Sequence, residues 1–543
     1  MLKRPSETSS LTTFDAVVVG AGFAGLYMLH RLRGLGMSVR LYEAGAGVGG
    51  TWYWNRYPGA RCDVESMHYS YSFSEDLEQE WEWTERYSTQ SEILRYLDHV
   101  ADRFHLRSDI QLETRVTAAS FDDESGMWHV RTDKGDHVRA QYCVMATGCL
   151  SAARIPDIKG LDAFRGEIYH TGQWPHEAVD FTGQRVGVIG TGSSGIQVIT
   201  AIAEQAGSVT VFQRTPNFSM PARNAPLSEE VKKDMKVRYR DHRTAARESF
   251  FGVPFPVTEV TRKPALEVSE EDRQRELESR WSHGGFGIIA TFADVLTNKQ
   301  ANDTVAEFVR RKIRETVNDP RVAELLSPKD HPIGTKRPCV DTGYFDTFNR
   351  NNVTLVDVRK APIQELTASG LRTVDTEYDL DSIVFATGFD AMTGALHAID
   401  IRGAQGRSLR HKWAAGPRTY LGIASAGFPN LFLITGPGSP SVLSNMVVSI
   451  EQHVEWITGH LEYMRKNNLT RTEPTLAAED AWVDHVNDVG SYTLYPAAAS
   501  WYTGANIPGK PRVFMPYIGG VAAYRRHCDA VAANSYQGFL LGL

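Results

Sequence analysis

Two short glycine-rich segments carry the clearest chemical signal in the sequence. Gly-Ala-Gly-Phe-Ala-Gly occupies Gly20–Gly25, and Gly-Thr-Gly-Ser-Ser-Gly occupies Gly190–Gly195. In such a turn the first glycine permits a tight bend, the second lets a pyrophosphate approach the backbone, and the third lets a helix pack closely on a strand. The phosphates then lie at the helix N-terminus, where free N–H groups favour an anion. The two turns predict two dinucleotide sites, whose glycines are Gly20, Gly22, Gly25, Gly190, Gly192 and Gly195.

The residue that follows the second strand differs between the two units. Glu43 stands 23 residues after Gly20, whereas Arg214 stands 24 residues after Gly190. A carboxylate at this position suits the two hydroxyls of a ribose, and it would repel a 2′-phosphate that a guanidinium can bind. We therefore expect FAD at the first site and NADP(H) at the second. Two such sites are typical of flavoprotein reductases and monooxygenases, because a simple dehydrogenase needs one nucleotide.

The elements that must position these turns read as two βαβ units. Apolar runs at Ala16–Val19 and Val186–Ile189 predict the first strands, and Val39–Tyr42 and Val209–Phe212 predict the second. Charged helical patterns without strand alternation fill the region from about Pro226 to Pro328. The sequence thus predicts an α/β fold with two Rossmann-like dinucleotide-binding domains and a helical insertion. We place the FAD-binding domain at 1–145 and 386–543, the NADPH-binding domain at 146–225 and 333–385, and the insertion at 226–332.

Composition excludes several other classes of protein. Hydrophobic residues make up 42% and charged residues 23% of 543, as in ordinary globular proteins. The net charge of -7 and the absence of a basic run argue against a nucleic-acid partner. Five cysteines without CxxC spacing argue against a disulfide framework and a zinc site, so we expect no metal.

The polar start (1–13) lacks a signal-peptide core, and no apolar run reaches about 18 residues. We expect a cytoplasmic monomer without membrane contact.

Two longer motifs give the sequence a family resemblance. Phe-Arg-Gly-Glu-Ile-Tyr-His-Thr-Gly-Gln-Trp-Pro at Phe164–Pro175 resembles the FxGxxxHTxxW(P/D) signature of type I Baeyer–Villiger monooxygenases. Gly49–Asp63 resembles the second signature of that family, and Thr335–Pro338 and Ser500–Asn506 extend the likeness through nearly the whole chain. Within the family the segment Pro440–Met446 is most similar to phenylacetone and steroid monooxygenases. His170, inside the first signature, is interpreted as a domain-coupling residue and not as a catalytic one.

The resemblance implies an activity and two catalytic residues. Such an enzyme uses non-covalently bound FAD, NADPH and O₂ to convert ketones to esters or lactones through a C4a-peroxyflavin, and we also expect side sulfoxidation. Arg337 takes the family position that stabilises negative charge on the peroxide and on the tetrahedral adduct, because arginine keeps its proton near neutral pH. Asp63 would hold Arg337 in place. A plain interdomain ion pair is the alternative interpretation of these two residues.

The resemblance also implies cofactor contacts. Lys336 and Arg214 would bind the 2′-phosphate of NADPH, and Trp501 would lie near its ribose. Arg337 is also expected among the residues that contact the bound cofactors. The further residues expected to line the NADPH phosphates are Ser193, Ser194, Ile196, Gln197 and Thr215. The residues expected around the flavin are Ala24, Glu43, Thr51, Trp52, Tyr53, Trp54, Arg61, Asp63, Tyr69, Val116 and Met446, although core packing would equally explain Tyr69 and Met446.

Three other functions fit parts of the sequence. A flavin monooxygenase that hydroxylates amines or sulfides shares both glycine turns but lacks the full tryptophan-proline ending of the middle motif. A disulfide or quinone reductase needs a redox pair of cysteines near the flavin, which the cysteine spacing does not offer. A non-enzymatic NADPH-binding protein would not need Arg337 and Asp63. The physiological ketone, the regio- and enantioselectivity and the extent of domain motion cannot be read from the sequence.

The expected substrate pocket departs from the family at one position. It comprises Cys149, Leu150, Ser441, Val442 and Leu443, and Cys149 stands where the phenylacetone enzyme has glutamine. We predict that Cys149→Gln shifts the range of accepted ketones without abolishing activity, because the side chain changes both the shape and the polarity of the pocket. Relative rates on a ketone panel, compared with Cys149→Ser, test this prediction. An unchanged ketone profile in Cys149→Gln would show that it is wrong.

Overall fold

The computed structural model describes residues 11–543, so most of the polar N-terminal stretch considered above lies outside the described residues. The strands are β1 (Thr12–Val19), β2 (Val39–Tyr42), β3 (Ile110–Gln111), β4 (Val116–Asp122), β5 (Met127–Thr132), β6 (His137–Met145), β7 (Glu167–His170), β8 (Arg185–Ile189), β9 (Ser208–Gln213), β10 (Ser219–Pro221), β11 (Cys339–Asp341), β12 (Val353–Asp357), β13 (Ile363–Thr367), β14 (Gly370–Thr373), β15 (Glu377–Asp379), β16 (Ser382–Phe385), β17 (Asp400–Arg402), β18 (Leu431–Leu433), β19 (Arg471–Pro474) and β20 (Phe539–Gly542). The α-helices are α1 (Phe23–Gly34), α2 (Thr51–Trp54), α3 (Glu75–Glu80), α4 (Gln90–Arg103), α5 (Ser193–Ile202), α6 (Glu229–Glu248), α7 (Glu270–His283), α8 (Lys299–Thr316), α9 (Pro320–Leu326), α10 (Tyr344–Thr347), α11 (Gly394–His397), α12 (Leu409–Lys412), α13 (Met446–Lys466), α14 (Leu476–Ser491) and α15 (Val521–Ala533).

The first glycine turn belongs to a large mixed sheet. Its strands follow the order β17-β4-β5-β6-β1-β2-β3, and β18 also pairs with β6. β1 runs parallel to both β2 and β6. The side chains of Ala16–Val19 are buried, which explains the uninterrupted apolar run, because a central parallel strand is covered on both faces. The sheet combines strands from the N-terminal part of the chain with β17 and β18 from its C-terminal part.

The second glycine turn belongs to a separate five-stranded sheet. The order is β12-β9-β8-β16-β7, and every pairing is parallel. The predicted strands Val186–Ile189 and Val209–Phe212 lie within β8 and β9, in the centre of this sheet. The carboxyl ends of parallel strands form the edge at which ligands bind in such folds. The prediction of an α/β fold with two Rossmann-like units is therefore confirmed.

The two turns are anchored in the same way. Gly20 has φ +104°, and a Cβ there would lie 2.5 Å from the carbonyl oxygen of Ala146. Gly190 has φ +111°, and its Cβ would lie 2.4 Å from the carbonyl oxygen of Ala386. Ala146 and Ala386 begin the two Ala-Thr-Gly links that leave the neighbouring strands β6 and β16. These contacts require glycine at both turns, because a side chain would collide with backbone on each.

The region 226–332 is helical, as its charged patterns predict. It contains α6 to α9, of which α8 buries Val305, Phe308 and Ile313 in the core around the second sheet. α6 instead contacts the first unit, where Arg243 Nε donates to Glu78 Oε1 at 2.7 Å in a buried ion pair. The insertion therefore packs against both nucleotide units. None of the helices within 11–543 is long and apolar enough to cross a membrane.

The second glycine turn allows a direct test of close packing. A Cβ on Gly195 would lie 2.3 Å from the carbonyl oxygen of Gly190, whereas a Cβ on Gly192 would meet nothing within 4 Å. Gly195→Ala should lower the stability by about 1–3 kcal/mol, since overpacking against backbone outweighs the higher helix propensity of alanine. Gly192→Ala should stay within about 1 kcal/mol of the natural protein. Thermal melting of both variants measures the difference, and equal melting temperatures would contradict this packing argument.

Candidate functional site

Arg337 lies where the two nucleotide units meet. Its Nε donates to Asp63 Oδ2 at 2.7 Å and its Nη2 donates to Asp63 Oδ1 at 2.8 Å. Its Nη1 donates to the carbonyl oxygen of Val442 at 2.8 Å. A bidentate pair fixes both the position and the plane of a guanidinium. The structure thus brings together the two residues that the resemblance marked as catalytic, together with one residue of the expected substrate pocket.

Short elements on both sides place this pair. Arg337 stands directly before β11, which pairs with β10 beside the second sheet. Asp63 stands in the loop after α2, where Cys62 N donates to the carbonyl oxygen of Ser88. Phe286, from the helical insertion, places its ring under the guanidinium, with 5.1 Å between the ring centroid and Cζ. Sequence reasoning missed Phe286, because no local pattern links it to Arg337.

The environment of Arg337 favours its protonated, positively charged form. Burial alone would lower the pKa of the guanidinium, but the opposite charge and the hydrogen bonds of Asp63 outweigh it and raise the pKa above its ordinary value. The group therefore remains a cation throughout the pH range in which an enzyme works. A permanent cation at this point can stabilise an oxyanion that forms beside it.

A cavity that opens to solvent lies beside Arg337. Phe251, Phe286 and Ile289 line it from the helical insertion, and Tyr495 and Tyr502 line it from the C-terminal part of the chain. Arg337 is charged, and the other lining residues that the structure describes are uncharged. Such a pocket favours an apolar ligand with a polar group held near the cation. The aromatic residues of this lining were not found from the sequence, since only the tertiary fold brings them together.

The five residues expected in the substrate pocket divide into two groups. Val442 and Leu443 line the cavity, whereas Cys149, Leu150 and Ser441 do not. Cys149 is buried in an apolar cluster with Val442 and Tyr502, and its Sγ lies 3.0 Å from Ser441 Oγ. Burial raises the pKa of the Cys149 thiol, so a reactive thiolate is disfavoured. Cys149 thus lies behind the cavity wall, where its side chain packs in the same cluster as residues that do line the cavity.

The first nucleotide unit offers a phosphate cradle. α1 begins after Gly22 without a side-chain cap and without an acidic residue in its first turn, so its N-terminus suits an anion. A Cβ on Gly50 would lie 2.9 Å from Gly22 Cα, so the two backbones pack closely against each other at this end of α1. Glu43 is buried, and its two carboxylate oxygens accept from Ala21 N and Gly45 N, each at 2.7 Å. Burial raises the pKa of Glu43, although these N–H groups oppose that shift.

The other residues expected around the flavin lie in the same unit. Trp52 Nε1 donates to Tyr69 OH at 3.2 Å, and Ala46 N donates to Tyr53 OH at 3.0 Å. Arg61 Nη1 donates to Glu85 Oε2 at 2.7 Å, so its charge is already paired. Ala24 is buried on α1, and Val116 is buried at the start of β4. On α2, Thr51 is exposed and Trp54 is half-buried. Met446, the first residue of α13, is half-buried. Contacts of these residues with FAD stay predictions.

The second nucleotide unit has an equally open helix N-terminus. α5 begins after Gly192, where Ser193, Ser194, Gly195 and Ile196 form the first turn, and it too lacks a side-chain cap and an acid in that turn. The side chain of Gln197 bonds to two residues of the first unit, and its contact with the NADPH phosphates stays a prediction. Its Oε1 accepts from Tyr57 OH at 2.8 Å, and its Nε2 donates to the carbonyl oxygen of Arg61 at 3.0 Å. In this arrangement the side chain joins the two units.

Three of the residues expected to bind NADPH lie at the carboxyl edge of the second sheet. Arg214 is exposed at the end of β9, and Thr215 follows it half-buried. Burial lowers the pKa of Lys336, and repulsion from Arg214 lowers it further. Lys336 and Arg214 are therefore close enough for their charges to repel each other, and two such neighbouring cations suit the binding of a phosphate dianion. Trp501 is half-buried against Tyr502, with 4.2 Å between their ring centroids, and its contact with the NADPH ribose stays a prediction.

His170 supports the links between the units. Gly172 N donates to His170 Nδ1 at 3.0 Å, so Nδ1 is unprotonated, and Nε2 lies 3.1 Å from the carbonyl oxygen of Arg154. Burial lowers the pKa of His170, which agrees with a neutral ring. This arrangement fits the expected coupling role. Within 11–543 no three His, Cys, Asp or Glu side chains are grouped to hold a metal ion.

Comparison with known proteins identifies the family. A Baeyer–Villiger monooxygenase from Pseudooceanicola batsensis is 44% identical over 97% of this chain and 96% of its own length. The chain belongs to the Baeyer–Villiger monooxygenases. A crystal structure of oxidised steroid monooxygenase bound to NADP matches with a TM-score of 0.94 and 53% identity over 98% of this chain and 100% of the other. The structure of OTEMO in complex with FAD and NADP matches with a TM-score of 0.94 and 44% identity over 97% and 99%.

The family model that matches residues 17–282 is described as pyridine nucleotide-disulphide oxidoreductase. It spans most of the N-terminal part of the first nucleotide unit, the glycine turn of the second and about half of the helical insertion. The five cysteines of this Baeyer–Villiger enzyme are nevertheless buried and free, so the disulfide chemistry in that description finds no redox pair here. The recognised family, the enzyme class and the FAD and NADP cofactors predicted from the sequence are confirmed.

The lowered pKa of Lys336 predicts a pH dependence of NADPH use. The charged lysine attracts the 2′-phosphate, so binding is strongest below the pKa of Lys336 and weakens as the pH rises through it. Because that pKa is lowered, the loss should begin at a lower pH than for an ordinary lysine. The KM for NADPH, measured above pH 7, should rise with pH in the natural enzyme and stay flatter in Lys336→Arg. Parallel profiles for the two enzymes would contradict the assignment.

Proposed function

We propose that this protein uses FAD, NADPH and O₂ to convert ketones to esters or lactones, with Arg337 and Asp63 as its catalytic residues. The observation that carries the proposal is the paired cation beside an apolar cavity, in a chain of the Baeyer–Villiger family. An uncharged ketone fits such a cavity, because its carbon skeleton prefers the apolar lining and its carbonyl group prefers the cation.

The residues present fit both cofactors. The two uncapped helix N-termini, each preceded by glycines that leave the backbone accessible, suit two pyrophosphates. Glu43 favours a 2′-hydroxyl at the first unit, and Arg214 with Lys336 favours a 2′-phosphate at the second. FAD, when bound, would activate O₂, which provides the inserted oxygen atom, and NADPH would supply the two electrons that this activation needs.

Arg337 would stabilise the negative charge that develops when an oxygen nucleophile attacks the ketone. Its bonds to Asp63 and Val442 use three of the five N–H groups of a guanidinium, so two remain as donors for the substrate oxygen. Because Asp63, Val442 and Phe286 already hold the group, little reorganisation is needed when the charge appears. Asp63 thus acts by keeping the cation in place.

The cavity would hold the ketone and limit the access of water. Exclusion of water strengthens the interaction of Arg337 with a developing oxyanion, since the effective dielectric constant falls. Residues from the helical insertion and from the C-terminal part of the chain form its walls, so the insertion takes part in substrate recognition. We further propose that the enzyme acts as a monomer in the cytoplasm, where five free, buried cysteines stay reduced.

Removal of Arg337 should test this function directly. In the FAD-loaded enzyme, Arg337→Ala should lower the rate of ester or lactone formation by about 10²–10³-fold, because an oxyanion donor is lost. Mass spectrometry of reactions with NADPH, air and a panel of ketones, sulfides and amines identifies the products. FAD content and the melting temperature of the variant control for folding.

Two outcomes would contradict the proposal. If Arg337→Ala forms esters at the natural rate, Arg337 has no catalytic role. If the natural enzyme forms only N- or S-oxides and leaves every ketone unchanged, it is a heteroatom monooxygenase. Asp63→Asn is the matched variant: it keeps the size of the side chain but removes its charge, and it should lower the rate less than Arg337→Ala does.

A further inference from the structure

A third cation lies at the edge of the second sheet that holds Arg214 and Thr215. Strands β9 and β12 are parallel neighbours, with Gln213 opposite Asp357, so their carboxyl ends lie side by side. Val358 N continues this pairing by donating to the carbonyl oxygen of Gln213 at 3.0 Å. Arg359 follows at once, exposed, just as Arg214 follows β9. We propose that Arg359 binds the 2′-phosphate together with Arg214 and Lys336, and that it helps to select NADPH over NADH.

The hydrogen bond between Arg359 and Thr215 supports this role. Arg359 Nη2 donates to Thr215 Oγ1 at 2.9 Å. Since the hydroxyl oxygen accepts this bond, its own proton is free to donate to another acceptor. A phosphate oxygen beside Arg214 is such an acceptor. Arg359 therefore prepares Thr215 as a donor and adds its own charge at the same place.

Asp330 holds Arg359 beside this edge. Arg359 Nη2 also donates to Asp330 Oδ2, while Asp330 Oδ1 lies 2.7 Å from His331 Nδ1. The carboxylate thus anchors the arginine from one side. Arg359 uses one nitrogen for both bonds, and its side chain is 49% exposed, so the rest of its fork is accessible to a ligand.

The charges at this edge sum in favour of an anion. Burial lowers the pKa of Lys336, attraction to Asp330 opposes that shift, and repulsion from both Arg214 and Arg359 adds to it. Both arginines therefore stand within electrostatic range of Lys336, and the carboxylates of Asp330 and Asp357 lie beside these three cations. A solvent-exposed pair of Arg359 with Asp330 alone would contribute little to stability. Phosphate binding explains the position of Arg359 beside Thr215, which a simple surface ion pair does not require.

The inference rests on the proposed use of NADPH, and binding without turnover tests it separately from oxygen transfer. Dissociation constants of NADP⁺ and NAD⁺ are measured by calorimetry on the oxidised, FAD-loaded enzyme without ketone. Arg359→Ala should weaken NADP⁺ binding about tenfold, because a charge-assisted hydrogen bond is lost, and leave NAD⁺ binding unchanged. Arg350→Ala is the matched control. Arg350 is exposed and precedes the amino end of β12, so this substitution removes the same charge at the opposite end of the strand. It should bind both nucleotides as the natural enzyme does.

Three results would overturn the inference. They are unchanged NADP⁺ binding in Arg359→Ala, equal weakening of NADP⁺ and NAD⁺, and the same loss in Arg350→Ala, which would indicate a general effect of charge. Melting temperatures report on folding, and Arg359→Gln serves as a second variant if the alanine variant is unstable. An enzyme that binds NADP⁺ as expected but leaves ketones unchanged would contradict the proposed function and not this role of Arg359.

Discussion

The ion pair between Asp63 and Arg337 is the contact on which the arrangement of the site depends. Its partners are 274 residues apart in the chain and belong to different nucleotide units. Two charges that leave water need close geometry and further hydrogen bonds to recover the cost of desolvation. The bidentate contact, the carbonyl of Val442 and the ring of Phe286 supply these interactions. They also bring the helical insertion and the C-terminal part of the chain to the same guanidinium, which is why the cavity forms there.

The two nucleotide units use one construction for two different ligands. In each, the first glycine of the turn rests against the alanine that begins an Ala-Thr-Gly link, so the turn and the return of the chain are fixed together. What differs is the side chain that follows the second strand, a carboxylate in one unit and a guanidinium in the other. The backbone of both turns thus suits a pyrophosphate, while the side chain after the second strand, together with Lys336 and Arg359 in the second unit, is expected to distinguish a ribose diol from a phosphorylated ribose.

Local features of this protein could be read from the sequence, and features that depend on distant contacts could not. Glycine turns, buried strands and the helical character of 226–332 follow from periodicity and from backbone geometry, and they agree with the structure. Arg337 and Asp63 came from the family resemblance, because no spacing connects them. Phe286 and Tyr502 were missed, since residues of ordinary aromatic type reach the cavity only through the tertiary fold. The amide of Gln197 also bridges Tyr57 and Arg61, a contact between units that a local motif cannot reveal.

The bridge made by Gln197 also has a mechanical consequence. Its amide holds Arg61, which precedes Asp63 by two residues, while the first turn of the same helix, α5, forms the end that suits a pyrophosphate. A rigid helix therefore connects the nucleotide end of one unit with the carboxylate of the other through a tether of two residues. A shift of α5 that accompanies the arrival or departure of a dinucleotide would pull on the backbone that carries Asp63. The position of the Asp63–Arg337 pair is in this way linked through the backbone to α5, whose N-terminus is the expected site of the NADPH pyrophosphate.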